Sequence, residues 1–317
     1  MNGPGLRLAA VSVWRVVIRR WAVWLLLLGA ASLEGAGAVQ SAPVPPYGDP
    51  VELVRKAVQN EIKASHDSGA HFMFRGTTTT PRGSTTELYV ETNDATAGLI
   101  VARDGKPLSL EQRRAEEARV QRFLNNPDEL RKKRAQEREN EDRTLRIIRA
   151  LPDAFLYEYA GEETGSDGIG RTGGPLLKLK FRPNPNYRPP SRVEEVLRGM
   201  QGEVLLDAVR ARIASIDGTL FKDVSFGWGI LGHLDHGGHF VVHQEAVEND
   251  NWEISSMRLH FTGKILLVKS ISIESTEVFS DFKQVPSDLS FAQGLELLRK
   301  KEAAEAGNDA PGKQARK

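Results

Sequence analysis

Apolar residues in VELVRKAVQNEIKASH recur at Val51, Val54, Val58 and Ile62, one face of a helix, and Asp49-Pro50 ahead of them supplies a cap and a first-turn proline. The period then changes to two. HFMFRGTTTT and STTELYVET flank Pro81-Arg82-Gly83 as the arms of a hairpin, and AGLIVARDGKPL predicts a further strand ending in an Asp-Gly turn. AFLYEYAG places Phe155, Tyr157 and Tyr159 on one side. LLKLKFR sets Leu177, Leu179 and Phe181 against Lys178, Lys180 and Arg182. QGEVLLDAVRARIASIDG reads as two strands around a tight bend, and β-structure is expected over 224–234, 239–247, 252–261, 264–274 and 276–282, with a turn at Gly263-Lys264. Ser290 and Gln293 cap a last helix, SFAQGLELLRKKE, before a tail at 301–317. About ten or eleven strands in antiparallel succession with few helices predict an α+β domain over 50–300, built on a single highly curved sheet.

Residues 109–150 interrupt this pattern. Ser109 with Gln112 forms a capping box, Asn126-Pro127 restarts the helix, and about half of the stretch is charged with mixed signs, so ion pairs one turn apart can support it. A solvated helical hairpin is one reading. The other is an arm that meets an envelope partner or an anionic lipid surface through RKKR at 131–134.

The N-terminus has a basic lead, the apolar run WAVWLLLLGAASL and small residues at Ala36 and Ala38. That pattern predicts a Sec-type signal peptide over 1–38, cleaved after Ala38, then a Pro-rich linker at 39–49; an uncleaved membrane anchor is the alternative. A periplasmic or secreted protein follows. It has no cysteine, so disulfides, thiolate metal sites and a lipidated N-terminal cysteine are excluded. With 40% apolar and 27% charged residues the chain can build a core, and its net charge of +1 gives no footprint for nucleic acid.

Candidate chemistry is sparse. No G-x-S-x-G elbow, kinase set or zincin motif occurs, and the Gly-rich EETGSDGIGRTGGP lacks both the P-loop lysine and a following helix, so neither an enzyme nor a cofactor is expected. Four of the seven histidines fall in FGWGILGHLDHGGHFVVHQ. If its two apolar stretches pair through a three-residue loop at 236–238, Phe226, Trp228, Ile230, Leu234, Phe240 and Val242 share the buried face. His233, His239 and His243 then share the opposite face, close enough for metal binding to be a third functional reading.

The stretches LLKLKFRPNP, GEVLLDAVRARIASIDGTL and MRLHFTGKILLVKSISIESTEVFSDF, in this order behind the helix at 51, resemble the periplasmic lipoprotein-localisation carriers of the LolA/LolB-like fold, which the envelope-stress regulator RseB shares. FGWGILG and the SDF segment also resemble secreted bacterial proteins without known activity. The resemblance implies an unclosed antiparallel half-barrel, covered by helices, that carries or senses a lipid or lipoprotein acyl chain in an apolar cavity. Leu177, Leu179, Phe181, Phe226, Trp228, Ile230, Leu259 and Phe261 would line that cavity; the alternative is that they fill an ordinary core. A scaffold acting through the 109–150 arm is the second functional reading.

Overall fold

The computed structural model describes residues 47–67, 69–226, 232–265 and 269–308. The signal segment, nearly all of the linker and the end of the tail lie outside the described residues. Helix α1 (Pro50–Asp67) opens where Asp49 Oδ1 accepts the Val51 N–H at 2.9 Å. Strands β1 (His71–Thr80), β2 (Gly83–Val90), β3 (Ala97–Arg103) and β4 (Lys106–Pro107) follow as a meander. Helix α2 (Leu110–Asn125) starts at the Ser109–Gln112 capping box, and α3 (Pro127–Ala154) starts at Asn126, whose side chain accepts from Asp128 N. Then come β5 (Phe155–Thr164), β6 (Pro175–Pro183), the short α4 (Arg192–Glu195), β7 (Met200–Asp207) and β8 (Ile213–Leu220). The chain closes with β9 (Val224–Phe226), β10 (Gly232–Leu234), β11 (His239–Ala246), β12 (Trp252–Ile265), β13 (Lys269–Val285) and α5 (Phe291–Asn308).

All thirteen strands join one sheet in the order β4-β3-β2-β1-β13-β12-β11-β8-β7-β6-β5, with β10 against β12 and β9 against β10. The named strands pair antiparallel throughout, and β4 and β5 end the sheet without meeting, so it is not closed into a barrel. Its curvature shows in the core. Phe72 and Phe74 near one end share a cluster with Leu179 and Phe181 near the other, and Val54, Ala57 and Val58 of α1 with Ile148 and Leu151 of α3 fill the space between. Alternation carries a second core on the opposite face. Tyr89 packs with the first cluster, while Leu88 and Val90 join Val120 of α2 and Phe291, Leu295 and Leu298 of α5. Gly294 lets α5 approach closely, since a Cβ there would lie 2.6 Å from Val90 Cγ1. No helix of the described residues is long and apolar enough to cross a membrane.

Three local expectations are corrected. The histidine segment is not a hairpin: β8 takes one edge of β11 (His239 opposite Thr219) and β12 the other (His239 opposite His260), leaving no edge for β10. β10 instead follows β11 along the same side of β12, with Gly232 opposite Ile265. That pairing also moves the expected turn at Gly263-Lys264, because both residues are in the ladder, where a Cβ on Gly263 would lie 2.1 Å from the His233 carbonyl oxygen. Lastly, α5 runs to Asn308, past the boundary expected at residue 300.

The 109–150 segment is not a solvated hairpin either. Glu116 and Val120 of α2 and Lys133, Glu137, Asn140, Leu145 and Ile148 of α3 are buried. Glu116 accepts the Ile100 N–H at 2.8 Å while Arg119 donates to the Gly98 carbonyl at 2.8 Å, so two charged side chains occupy the places of a neighbouring strand. Glu137, paired with the buried Lys133, accepts the Thr96 N–H at 3.1 Å just before β3 begins.

Candidate functional site

The concave face gathers part of the expected set. Leu179, Phe181, Leu259 and Phe261 are buried in one cluster beneath α1 and α3. Leu177 is buried at 3% exposure but outside that cluster. Trp228, Ile230 and the side chain of Phe226 lie outside the described residues. The wall is extended by half-buried Ile216, Leu234, Phe240, Val242 and Ile273.

Helix α1 forms the cover, and it is fastened by polar contacts. Glu61 lies on the apolar stripe of α1, 5% exposed, and reaches β8. Its carboxylate accepts from Arg212 Nε and Nη2, both at 2.8 Å, and from the Ile213 N–H at 2.9 Å. Asn60 donates to the Arg210 and Ala211 carbonyls at 3.1 and 3.0 Å, and near the other end Arg55 pairs with Asp153 at 3.3 Å. A charge on the apolar stripe, three positions past Val58 and next to Ile62, is the signal by which this fastening could have been read in the sequence.

Three tyrosines pack against the same core near the β5 edge. Tyr157 donates to the Leu151 carbonyl at 2.9 Å, and burial pushes its phenol up. The hydroxyls of Tyr159 and Tyr187 are buried without a hydrogen-bond partner among the described residues. Tyr187 is pushed up to about 12, chiefly by burial and then by Glu194, Asp153 and Glu195. Tyr159 is raised by burial, with Tyr47 and Asp49 adding to it. A hydroxyl that has left water without a new partner costs about 1–3 kcal/mol, and a ligand oxygen placed beside it would recover that cost.

On the other face, His233, His239 and His243 do share one side of the sheet. Their partners on β12 are Lys264, His260 and Ser256, steps of four residues, which separates successive histidines by roughly 13 Å along the strand. Each of the first two meets its own carboxylate: His233 and Asp235 at 3.0 Å, His239 and Asp217 at 2.8 Å. Burial, with the nearby Arg258 charge, pulls His243 below the usual imidazole range. Among the described residues no group of three or more histidine or acidic side chains is arranged to hold a metal ion. The Gly-rich loop is structural: Gly170 exchanges backbone hydrogen bonds with Gln244 (2.7 Å) and Ala246 (3.1 Å), and Ile169 packs on Leu176, Ala214 and Trp252.

The molecule is thus an unclosed antiparallel half-barrel with helices on both faces and an apolar concave side. No family model and no curated protein matches the chain. Two solved structures are similar to it. One is a domain named provisionally as an outer membrane lipoprotein-sorting protein, from Vibrio parahaemolyticus, at 9% identity and TM-score 0.30, covering 78% of this chain and 99% of that one. The other is a DUF1329 family protein from Desulfovibrio piger, at 12% identity and TM-score 0.29, covering 79% and 99%. The likeness expected from the sequence is found. The fold rests on the strand order itself.

Proposed function

We propose that the protein is an exported, non-catalytic carrier or sensor that holds a lipid or lipoprotein acyl chain between α1 and the concave face of the sheet. The observation that carries this reading is the pair of partnerless buried hydroxyls, Tyr159 and Tyr187, packed against the main apolar cluster. An acyl chain would lie along Leu179, Phe181, Leu259 and Phe261, and its ester or carboxyl oxygen would accept from one of these phenols. Polar fastening of α1 supports the same reading. Glu61 and Asn60 toward one end and Arg55 toward the other hold the helix over the sheet as a fixed cover, so a chain bound beneath it would be shielded from water.

Native mass spectrometry and lipid extraction of protein purified from a bacterial envelope test this. A co-purifying lipid of defined stoichiometry, reduced in Tyr159→Phe/Tyr187→Phe, is the expected result. Protein that never retains lipid, even after incubation with envelope lipids, overturns the reading.

A further inference from the structure

Strand β11 carries one side chain that its place in the fold does not explain. Phe240 and Val242 pack against the main apolar cluster, and Gln244, two residues further on, has the same parity. It stands opposite Ile254, a buried member of that cluster, so its amide is set into the concave face, where the residue is 2% exposed. The main chain of Gln244 is satisfied, since its carbonyl accepts the Gly170 N–H at 2.7 Å. The side-chain Oε1 is buried with no hydrogen-bond partner among the described residues. A leucine would fill the same wall without that loss, so an orphan amide here weakens the fold unless something else answers it.

The strand register relates Gln244 to the tyrosines. Tyr159 of β5 is opposite Leu179, Leu179 opposite Val204, Val204 opposite Ile216 and Ile216 opposite Val242. Leu179, Val204, Ile216 and Val242 thus form one apolar row across the concave face, and all belong to the main cluster or pack against it. Four strand spacings span about 19 Å along the curved sheet, and Gln244 lies roughly 7 Å further along β11 than the row. A polar group with no partner therefore stands at each end of the apolar row, the Tyr159 hydroxyl at the β5 edge and the Gln244 amide beyond β8.

We propose that the bound acyl chain carries a hydroxyl well along its length, and that Gln244 holds it. This specifies the ligand of the carrier reading, on which it rests. The head oxygen lies at Tyr159, the methylenes lie on Leu179, Val204, Ile216 and Val242, and the hydroxyl lies at Gln244. A hydroxyl both donates and accepts, so it answers the amide, whereas an unsubstituted chain leaves Oε1 unpaired. The spacing places that hydroxyl far from the head, because one on the adjoining carbon would stay near β5. A site that hydrogen-bonds a hydroxyl discriminates against the analogue lacking it, since its own polar group is then left buried and alone.

Purified protein freed of lipid is titrated with stearate, 2-hydroxystearate and 12-hydroxystearate, by calorimetry and by native mass spectrometry. The last of these is expected to bind at least ~tenfold more tightly than either of the others. Gln244→Leu should bind stearate at least as well as the parent and reduce the preference to less than ~twofold. Gln244→Met, with a side chain of nearly the same length, gives the same readout if the leucine variant does not fold. Equal binding of the three acids by the parent, or a preference that survives the substitution, overturns the assignment of Gln244 and leaves the carrier reading standing. Binding of none of them overturns both.

Discussion

The two ends of the sheet face one physical problem and treat it differently. An edge strand presents unpaired N–H and C=O groups that can recruit another chain. At the β3 end those groups are answered from within the molecule. Glu116 and Arg119 bond to Ile100 and Gly98, and Glu137 bonds to Thr96. At the β5 end the strand pairs with β6 on one side, and its later residues are exposed and acidic, with Glu162 held by Tyr47 at 2.7 Å and Glu163 by Lys178 at 2.9 Å. Gly161, at φ +123°, sits where the register shifts. One edge is covered by the side chains of helices; the other is protected by charge and a bulge. The lesson is that a charged segment can be part of the fold's interior when its charges replace a missing strand.

The largest expected effect comes from breaking the covered edge at its most buried point. Glu137→Ala leaves Lys133 charged, buried and without its carboxylate, and frees the Thr96 N–H, at a cost of about 3–5 kcal/mol in denaturant unfolding. The double variant Lys133→Met/Glu137→Leu should recover most of that loss; if it is as unstable as the single variant, the ion pair is not what matters there. Glu116→Ala should cost about 1–3 kcal/mol and speed hydrogen exchange at Ile100 in particular. A uniform change in exchange across β3 would argue against the capping role.

The open edge should respond in the opposite sense. Glu158→Val with Glu162→Val is expected to leave stability within about 1 kcal/mol yet promote self-association, visible by light scattering as protein concentration rises. A variant that stays as monodisperse as the parent would show that charge is not what protects β5.

The smallest effect lies away from both edges, at His243. Its folded-state pKa is depressed by burial and by Arg258, so the unfolded chain takes up the proton first as pH falls through the ordinary imidazole range near 6.5. Stability should therefore drop as pH is lowered through that range, and His243→Gln should flatten the slope. An unaltered slope in the variant would assign the effect to another group.

Much of the architecture was legible in the chain. The alternation in LLKLKFR fixed which of its residues face the core, the capping residues at Ser109 and Asn126 located both helix starts, and the parity of His239 and His243 put them on the polar face. Those are local signals, and period-two or period-3.6 patterning survives in any tertiary setting that buries one face. Of the candidate cavity, Leu179, Phe181, Leu259 and Phe261 do lie together, for the same reason.

What only the tertiary structure decided is which strands are neighbours and what answers each edge. Sequence adjacency favoured pairing β10 with β11, but β8 occupies one edge of β11 and β12 the other. The charges of Glu116 and Glu137 read in sequence as a solvated helix face and Glu61 received no reading of its own, and their roles exist only because Ile100, Thr96 and Arg212 are brought to them from elsewhere in the chain. Apolar periodicity is written within one element, whereas the partner of a buried charge is chosen by the packing of several; the sequence could therefore determine the wall of the half-barrel but not how its edges are closed.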